Sequence, residues 1–201
     1  MLDRTDNELS ASASVIELGM ILVLLCAAFF MQFFYNELPC PLCLLQRIGF
    51  LGIAFGLLLN ISYGVKPLHY GISMLSALFT MVVSVRQVFL HIAPGSGSYG
   101  PPVFGLHLYT WSFIAAAFFM FLNIALVVLA EPLKRFHVYH EKAVAILKHL
   151  AFLLLFIVAV ANTVTTFMEC GFGQCPDNPV KYQYTAGSDV RPGGGSEFQQ
   201  A

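Results

Sequence analysis

The chain has 201 residues, of which 58% are hydrophobic and only 10% charged, and its net charge is −1. An average globular domain is nearer half apolar and a quarter charged, so composition argues against a water-soluble single domain. The charge balance offers no footprint for nucleic acid, and five cysteines are too few for a secreted disulfide scaffold. The sequence reads as an integral membrane protein.

A helix needs roughly 20 apolar residues to cross about 30 Å of hydrocarbon. After a polar N-terminal stretch, 1–14, the first qualifying segment is 15–35. It is too long and starts too late for a cleaved signal peptide. Leu38-Pro39 separates it from the second, 44–61, and Tyr63-Gly64 separates that from the third, 70–92. The loop 93–109 leads to a fourth segment, 110–130, stopped by Glu131-Pro132, where the proline ring cannot continue a helical ladder. Residues 131–149 mix basic, aromatic and aliphatic side chains and read as a cytoplasmic, interfacial segment. A fifth span, 150–168, precedes a C-terminal tail, 169–201, whose Gly- and Ser-rich end reads as disordered and linker-like. The expected fold is all-α and polytopic, a four-helix bundle over 15–130 joined by a fifth transmembrane helix.

Orientation follows from the basic residues of the short loops. Arg4, Lys66, Lys134, Arg135, Lys142 and Lys148 fall on one side, which should be cytoplasmic. The N-terminus is then inside and the C-terminus outside. Arg47 and Arg86 lie at outer membrane edges, and Tyr99, Tyr109 and Trp111 fall where an outer aromatic belt is expected.

Four of the five cysteines form two close pairs, Cys40-Pro41-Leu42-Cys43 and Cys170 with Cys175. A topology drawn from charge alone puts both pairs outside, the side that tolerates disulfides. Cys40, Cys43 and Arg47 share one helical face by their offsets of three, four and seven. The helix N-terminus and Arg47 both favour a thiolate there. A static disulfide or half of a metal site would use the same CxxC. Cys170 and Cys175, separated by four residues of which two are glycines, can reach bonding geometry. An exposed bond of that kind suits exchange, and a small structural staple would look the same. Cys26 falls mid-span and reads as a small buried apolar residue.

The run Leu38-Pro39-Cys40-Pro41-Leu42-Cys43-Leu44-Leu45-Gln46-Arg47 closely resembles the DsbB family of disulfide bond formation proteins. Arg86-Gln87 and Gly105-Leu106 are similar too, and the likeness covers roughly 15–130. The resemblance implies that Cys40 and Cys43 are oxidised by a membrane quinone (ubiquinone or menaquinone) with Arg47 beside it. It also implies a second pair that reoxidises a periplasmic DsbA-like thioredoxin-fold carrier, and residence in the bacterial inner membrane. The family keeps that second pair between spans three and four, where this chain has no cysteine. Cys170 and Cys175, beyond the added fifth span, are the expected replacement.

Arg86 and His91, at the outer edge of the third span, are further candidates for the quinone, and each also has an interfacial reading. Glu17 reads as interfacial, while Asn123 and Asn162 should bond neighbouring helices. His137, His140 and Glu141 have ligand-like spacing, but beside Lys134 and Arg135 they read as a solvated basic face, and no metal site is expected. Two other functions use the same residues. One is a membrane thiol reductant running in reverse, and the other is a non-enzymatic module binding a metal or a partner through four outward thiols.

Overall fold

The computed structural model describes residues 2–34, 38–92, 102–129, 142–173, 175 and 182, with side chains from residue 13 onward in the first helix and at 146 and from 148 in the last. It contains five helices: α1 (Leu2–Phe34), α2 (Pro41–Tyr63), α3 (Pro67–His91), α4 (Leu108–Leu129) and α5 (Lys142–Cys170). Each carries a stretch of at least 21 residues long and apolar enough to cross a bilayer. The protein is a multi-pass, all-helical membrane protein.

The chemistry of the helix ends explains where the observed elements depart from the expected spans. α2 begins three residues early, at Pro41, because Cys40 takes extended backbone and caps the helix with its sulfur. Proline fits the first helical position, where no intrahelical N–H is needed. α3 likewise starts at Pro67 after Lys66. Between them, Gly64 takes φ 82°, a left-handed value that favours glycine. Asn60 Oδ1 secures the turn by accepting from the Lys66 backbone N–H at 3.2 Å and lying 3.1 Å from His69 Nδ1. α5 absorbs the final part of the segment read as interfacial, and 131–141, with His137, His140 and Glu141, lie outside the described residues. So do Tyr99 and most of the tail.

α2 is the hub of the bundle, packing against α3, α1 and α5, while α3 also packs against α4. Small residues bring α2 and α3 together. A Cβ on Gly56 would lie 2.6 Å from the His69 carbonyl oxygen and 2.9 Å from the Ser73 amide, so the backbones leave no room for a side chain. Such small-residue contact is what joins helices where lipid removes the hydrophobic incentive to associate. The interior is filled by Leu18, Ile21, Phe50, Ile53, Leu57 and Tyr70, among others. Large apolar side chains such as Phe34, Leu75, Phe89 and Phe121 point outward, as a bilayer permits.

Two sequence expectations are corrected. Glu17 is not interfacial: it is fully buried and accepts a hydrogen bond from Asn123 Nδ2, which ties α1 to α4 as expected of that asparagine. Cys26 is not buried: it faces out from α1, since its neighbours Leu22 and Leu25 hold the inward positions. Asn162 is buried in α5, but its Oδ1 has no hydrogen-bond partner among the described residues.

Candidate functional site

Cys40 and Cys43 are free thiols at the start of α2. The Cys43 backbone N–H donates to Cys40 Sγ at 3.2 Å, so the first sulfur occupies an orphan donor of the helix N-terminus. Gln87 reaches in from α3 with its amide nitrogen 3.1 Å from Cys40 Sγ and 3.5 Å from Cys43 Sγ. Gln87 is itself fixed, for its Oε1 accepts from Gln46 Nε2 at 2.8 Å. An amide N–H directed at two sulfurs stabilises negative charge on either.

Arg47 lies one turn beyond Cys43 and is buried. Its guanidinium donates to Gln32 Oε1 at 2.5 Å and to the Ala28 carbonyl at 3.1 Å, both on α1. It also sits 4.8 Å above the ring centre of Phe29. Gln32 passes the connection onward, donating from Nε2 to the Tyr182 hydroxyl at 2.9 Å. That bond holds part of the C-terminal tail against α1, beside the CxxC helix.

The last turn of α5 closes the site. Cys170 is buried and disulfide-bonded to Cys175, with their Cα atoms 4.4 Å apart. Glu169, adjacent in sequence, is fully buried and interacts electrostatically with Arg47 and Cys43. Among the described residues neither of its carboxylate oxygens has a hydrogen-bond partner.

Cys40 and Cys43 are therefore brought together through Gln87, with Arg47 one turn beyond Cys43, but Cys40 stands as the helix cap and not on the helical face its spacing predicts; α5, which ends in the second cysteine pair, packs on the same helix. The other candidates fall elsewhere. Arg86 is exposed, pointing away from the site while its neighbour Gln87 points in. The His91 ring is engaged at its Nδ1 with the Gln87 carbonyl at 2.8 Å and stacks on Tyr109 at 5.4 Å. Gln32, Gln46, Gln87 and Glu169 were not singled out by sequence reasoning as site residues. Their common signal is a polar side chain inside or at the end of an apolar span, which is costly without a purpose.

The quinone that the sequence resemblance implies has a suitable surface here. Cys26, Phe29, Phe30, Phe33 and Phe34 line a shallow groove of about 370 Å³ on the outward face of α1. Phe29, at its edge, is the ring beneath Arg47. A flat head group with an apolar tail fits such an aromatic wall, and the guanidinium adds N–H donors beside it.

The two thiols differ in their surroundings. Cys40 is buried, whereas Cys43 is partly accessible. The Cys43 side chain, burial and the charge of Cys43 together push the Cys40 thiol well above the usual range. Since only the thiolate alkylates, the reduced protein at neutral pH should react with iodoacetamide at Cys43 roughly tenfold or more faster than at Cys40. Peptide mass spectrometry over a time course reads this directly, and equal rates would show that Cys40 is not held as a thiol.

Comparison with known proteins places the CxxC helix in context. Residues 11–99 match the model of the family described as disulfide bond formation protein DsbB. This part of the chain is similar to the DsbB family. Curated proteins named disulfide bond formation protein B align with it. The one from Cupriavidus metallidurans is 42% identical over 69 residues, covering 34% of this chain and 43% of the relative. The one from Xanthomonas euvesicatoria is 34% identical over 87 residues, 40% of this chain and 51% of the relative. The chain thus spans about half or less of the length of these relatives. No solved structure matches it. The matched segment contains Cys40, Cys43, Arg47 and Gln87, while α4, α5, Glu169 and the Cys170–Cys175 disulfide lie beyond it.

Proposed function

We propose that the protein is a membrane thiol:quinone oxidoreductase that supports disulfide bond formation. The observation that carries this reading is the Cys40–Cys43 pair, two free thiols at a helix N-terminus that share the Gln87 amide, with a buried arginine one turn away. A stabilised thiolate one turn from Arg47, which lies over Phe29 at the edge of a bilayer-facing aromatic groove, suits electron transfer to a lipid-soluble acceptor. The joined Cys170–Cys175 pair leaves two free thiols here rather than the four that a thiol-only metal module would use.

Electrons enter from a periplasmic thioredoxin-fold dithiol carrier of the DsbA type. A carrier thiolate attacks the Cys170–Cys175 disulfide, a mixed disulfide forms, and the second carrier thiol resolves it, leaving the carrier oxidised and the pair reduced. The Cys170/Cys175 dithiol then reduces a Cys40–Cys43 disulfide by the same exchange. The packing of α5 on α2 and the Tyr182–Gln32 bond support this route, because they keep the tail beside the CxxC helix. A bound quinone supplies the two-electron, two-proton acceptor. Arg47 orients that acceptor and stabilises charge on Cys43, Gln87 holds both sulfurs, and Phe29 supplies an apolar wall. Arg86 and His91 sit at the outer membrane edge, with Arg86 free to meet headgroups and His91 ordering the end of α3. The protein resides in the bacterial inner membrane with its N-terminus cytoplasmic and its C-terminus periplasmic.

Quinone reduction by the purified protein, fed with a reduced thioredoxin-fold carrier, tests the proposal. The wild type should turn over, and Cys170→Ser/Cys175→Ser should lose carrier-driven turnover while dithiothreitol still drives it through Cys40 and Cys43. Carrier-driven turnover equal to wild type in the double variant would make the second pair a staple. A wild type inactive with several carriers and quinones would overturn the oxidase reading.

A further inference from the structure

We propose that Glu17 is a buried proton-binding site, a neutral carboxylic acid that closes a two-way hydrogen bond with Asn123 and so clasps α1 to α4. The inference is independent of the thiol chemistry above. Gln32, which meets Arg47, lies about 22 Å further along the same helix at about 1.5 Å per residue. Glu17 and Asn123 are both fully buried. Asn123 Nδ2 has two hydrogens and both are used: one goes to Glu17 Oε1 and the other to the Phe119 carbonyl at 2.7 Å. A carbonyl only accepts, so Phe119 fixes which end of the amide carries the nitrogen. One buried oxygen is left on each partner, Glu17 Oε2 and Asn123 Oδ1, with no hydrogen-bond partner among the described residues. An ionised Glu17 would leave both as acceptors without a donor and put a charge inside the bundle. A single proton on Oε2 resolves both. Carboxyl and amide are planar groups of matched size, so a pair already joined by one N–H···O bond closes its ring with one O–H···O bond, donated to Asn123 Oδ1.

The surroundings supply no cation that would favour a carboxylate. α4 presents the Asn123 amide. From α3 comes Tyr70, fully buried, which interacts with Glu17 and whose hydroxyl lies 3.3 Å from Ser14 Oγ, about one turn before Glu17. α2 carries Arg47, which is bonded to Gln32 and the Ala28 carbonyl instead. α5 carries Lys148 and His149, and neither is bonded to a Glu17 oxygen. Losing the proton would turn the clasp into a buried charge beside an unsatisfied acceptor. The bundle thus has a pH-sensitive joint between its first and fourth helices, closed while the carboxyl is protonated.

The test uses the full-length protein in lipid nanodiscs and compares wild type, Glu17→Gln and Asn123→Leu. Infrared difference spectra at neutral pH read the acid directly. Wild type should show a protonated-carboxyl C=O band that Glu17→Gln lacks and that Asn123→Leu moves to higher frequency, as a carbonyl freed of its donor does. Melting temperature against pH reads the linkage. Glutamine mimics the neutral acid, with Nε2 donating where the O–H did, so Glu17→Gln should fold and melt close to wild type in acid. Above the ordinary carboxylate range, about pH 4.3, the unfolded chain ionises Glu17 while the folded chain does not. Wild type should therefore fall below Glu17→Gln by about 3–5 °C per pH unit. A missing band, or a difference between the two that stays constant as pH rises to neutral, overturns the proposal. A wild-type melting temperature that rises with Na⁺ at constant ionic strength, while that of Glu17→Gln does not, makes the ligand a metal cation and overturns it too.

Discussion

Arg47→Leu should slow quinone reduction by about 100-fold or more and lower the melting temperature by roughly 6–12 °C. Arg47 is buried and joins α2 to α1 through Gln32 Oε1 and the Ala28 carbonyl. Leucine removes both donors and leaves Glu169 without its cationic neighbour. Hydrogen bonds from a charged group are worth about 1.5–3 kcal/mol each, so losing these two costs about 3 kcal/mol or more. For a chain of this size each kcal/mol is about 2–4 °C, so about 3 kcal/mol gives the loss of about 6–12 °C. The rate effect comes from losing a preorganised cation beside the sulfur where charge develops. Arg47→Lys should fall between, because one ammonium on a flexible stem cannot reproduce the planar fork that bridges two acceptors. Tryptophan fluorescence, from Trp111 alone, follows unfolding, and quinone absorbance follows turnover. A leucine variant with wild-type turnover would remove Arg47 from the mechanism.

Gln87→Leu should make the Cys40–Cys43 couple more reducing, by about 30–60 mV. The Gln87 amide donates to both sulfurs, and a hydrogen bond to a charged group is worth about 1.5–3 kcal/mol. That contribution belongs to the thiolate, hence to the reduced form. Losing it favours the disulfide, and 30 mV corresponds to about 1.4 kcal/mol for a two-electron couple. Gln46 Nε2 also loses its acceptor, so a modest loss of stability should accompany the shift. Gln87→Glu should move the potential further in the same direction, since a negative charge on the sulfurs disfavours the thiolate more strongly than an apolar side chain does. A redox titration against glutathione, quenched by alkylation, measures both. A potential unchanged in Gln87→Leu would mean that the amide does not bear on the thiolates.

The membrane spans were legible because their signal is one-dimensional. Some twenty consecutive apolar residues satisfy the bilayer whatever the rest of the chain does, and all five predicted segments overlap helices that meet that requirement. The grouping of Cys43 and Arg47 was legible for a similar reason, since helical periodicity puts them one turn apart, whereas Cys40 joins them as the helix cap. The errors lie where a residue's environment comes from another helix. Glu17 reads as interfacial by position, and only the approach of α4 places Asn123 against it. Cys26 reads as buried by composition, yet in a bilayer an apolar position is satisfied on either face of the helix, so hydropathy cannot tell inside from outside. Arg86 and Gln87 are neighbours in sequence, yet Arg86 is exposed and Gln87 buried, and the charge drew attention while the amide reached the sulfurs.

The sequence by itself determined that this is an all-helical, multi-pass membrane protein with a CxxC at the start of its second span, because hydropathy and helical period act within a single segment. Only the tertiary structure decided what surrounds those thiols. Gln87 comes from α3, Gln32 and Phe29 from α1, Glu169 from α5 and Tyr182 from the tail. Helix packing sets those distances through the close approach of small residues such as Gly56 and the pairing of polar groups away from water. Neither is recorded in the spacing of residues along one helix.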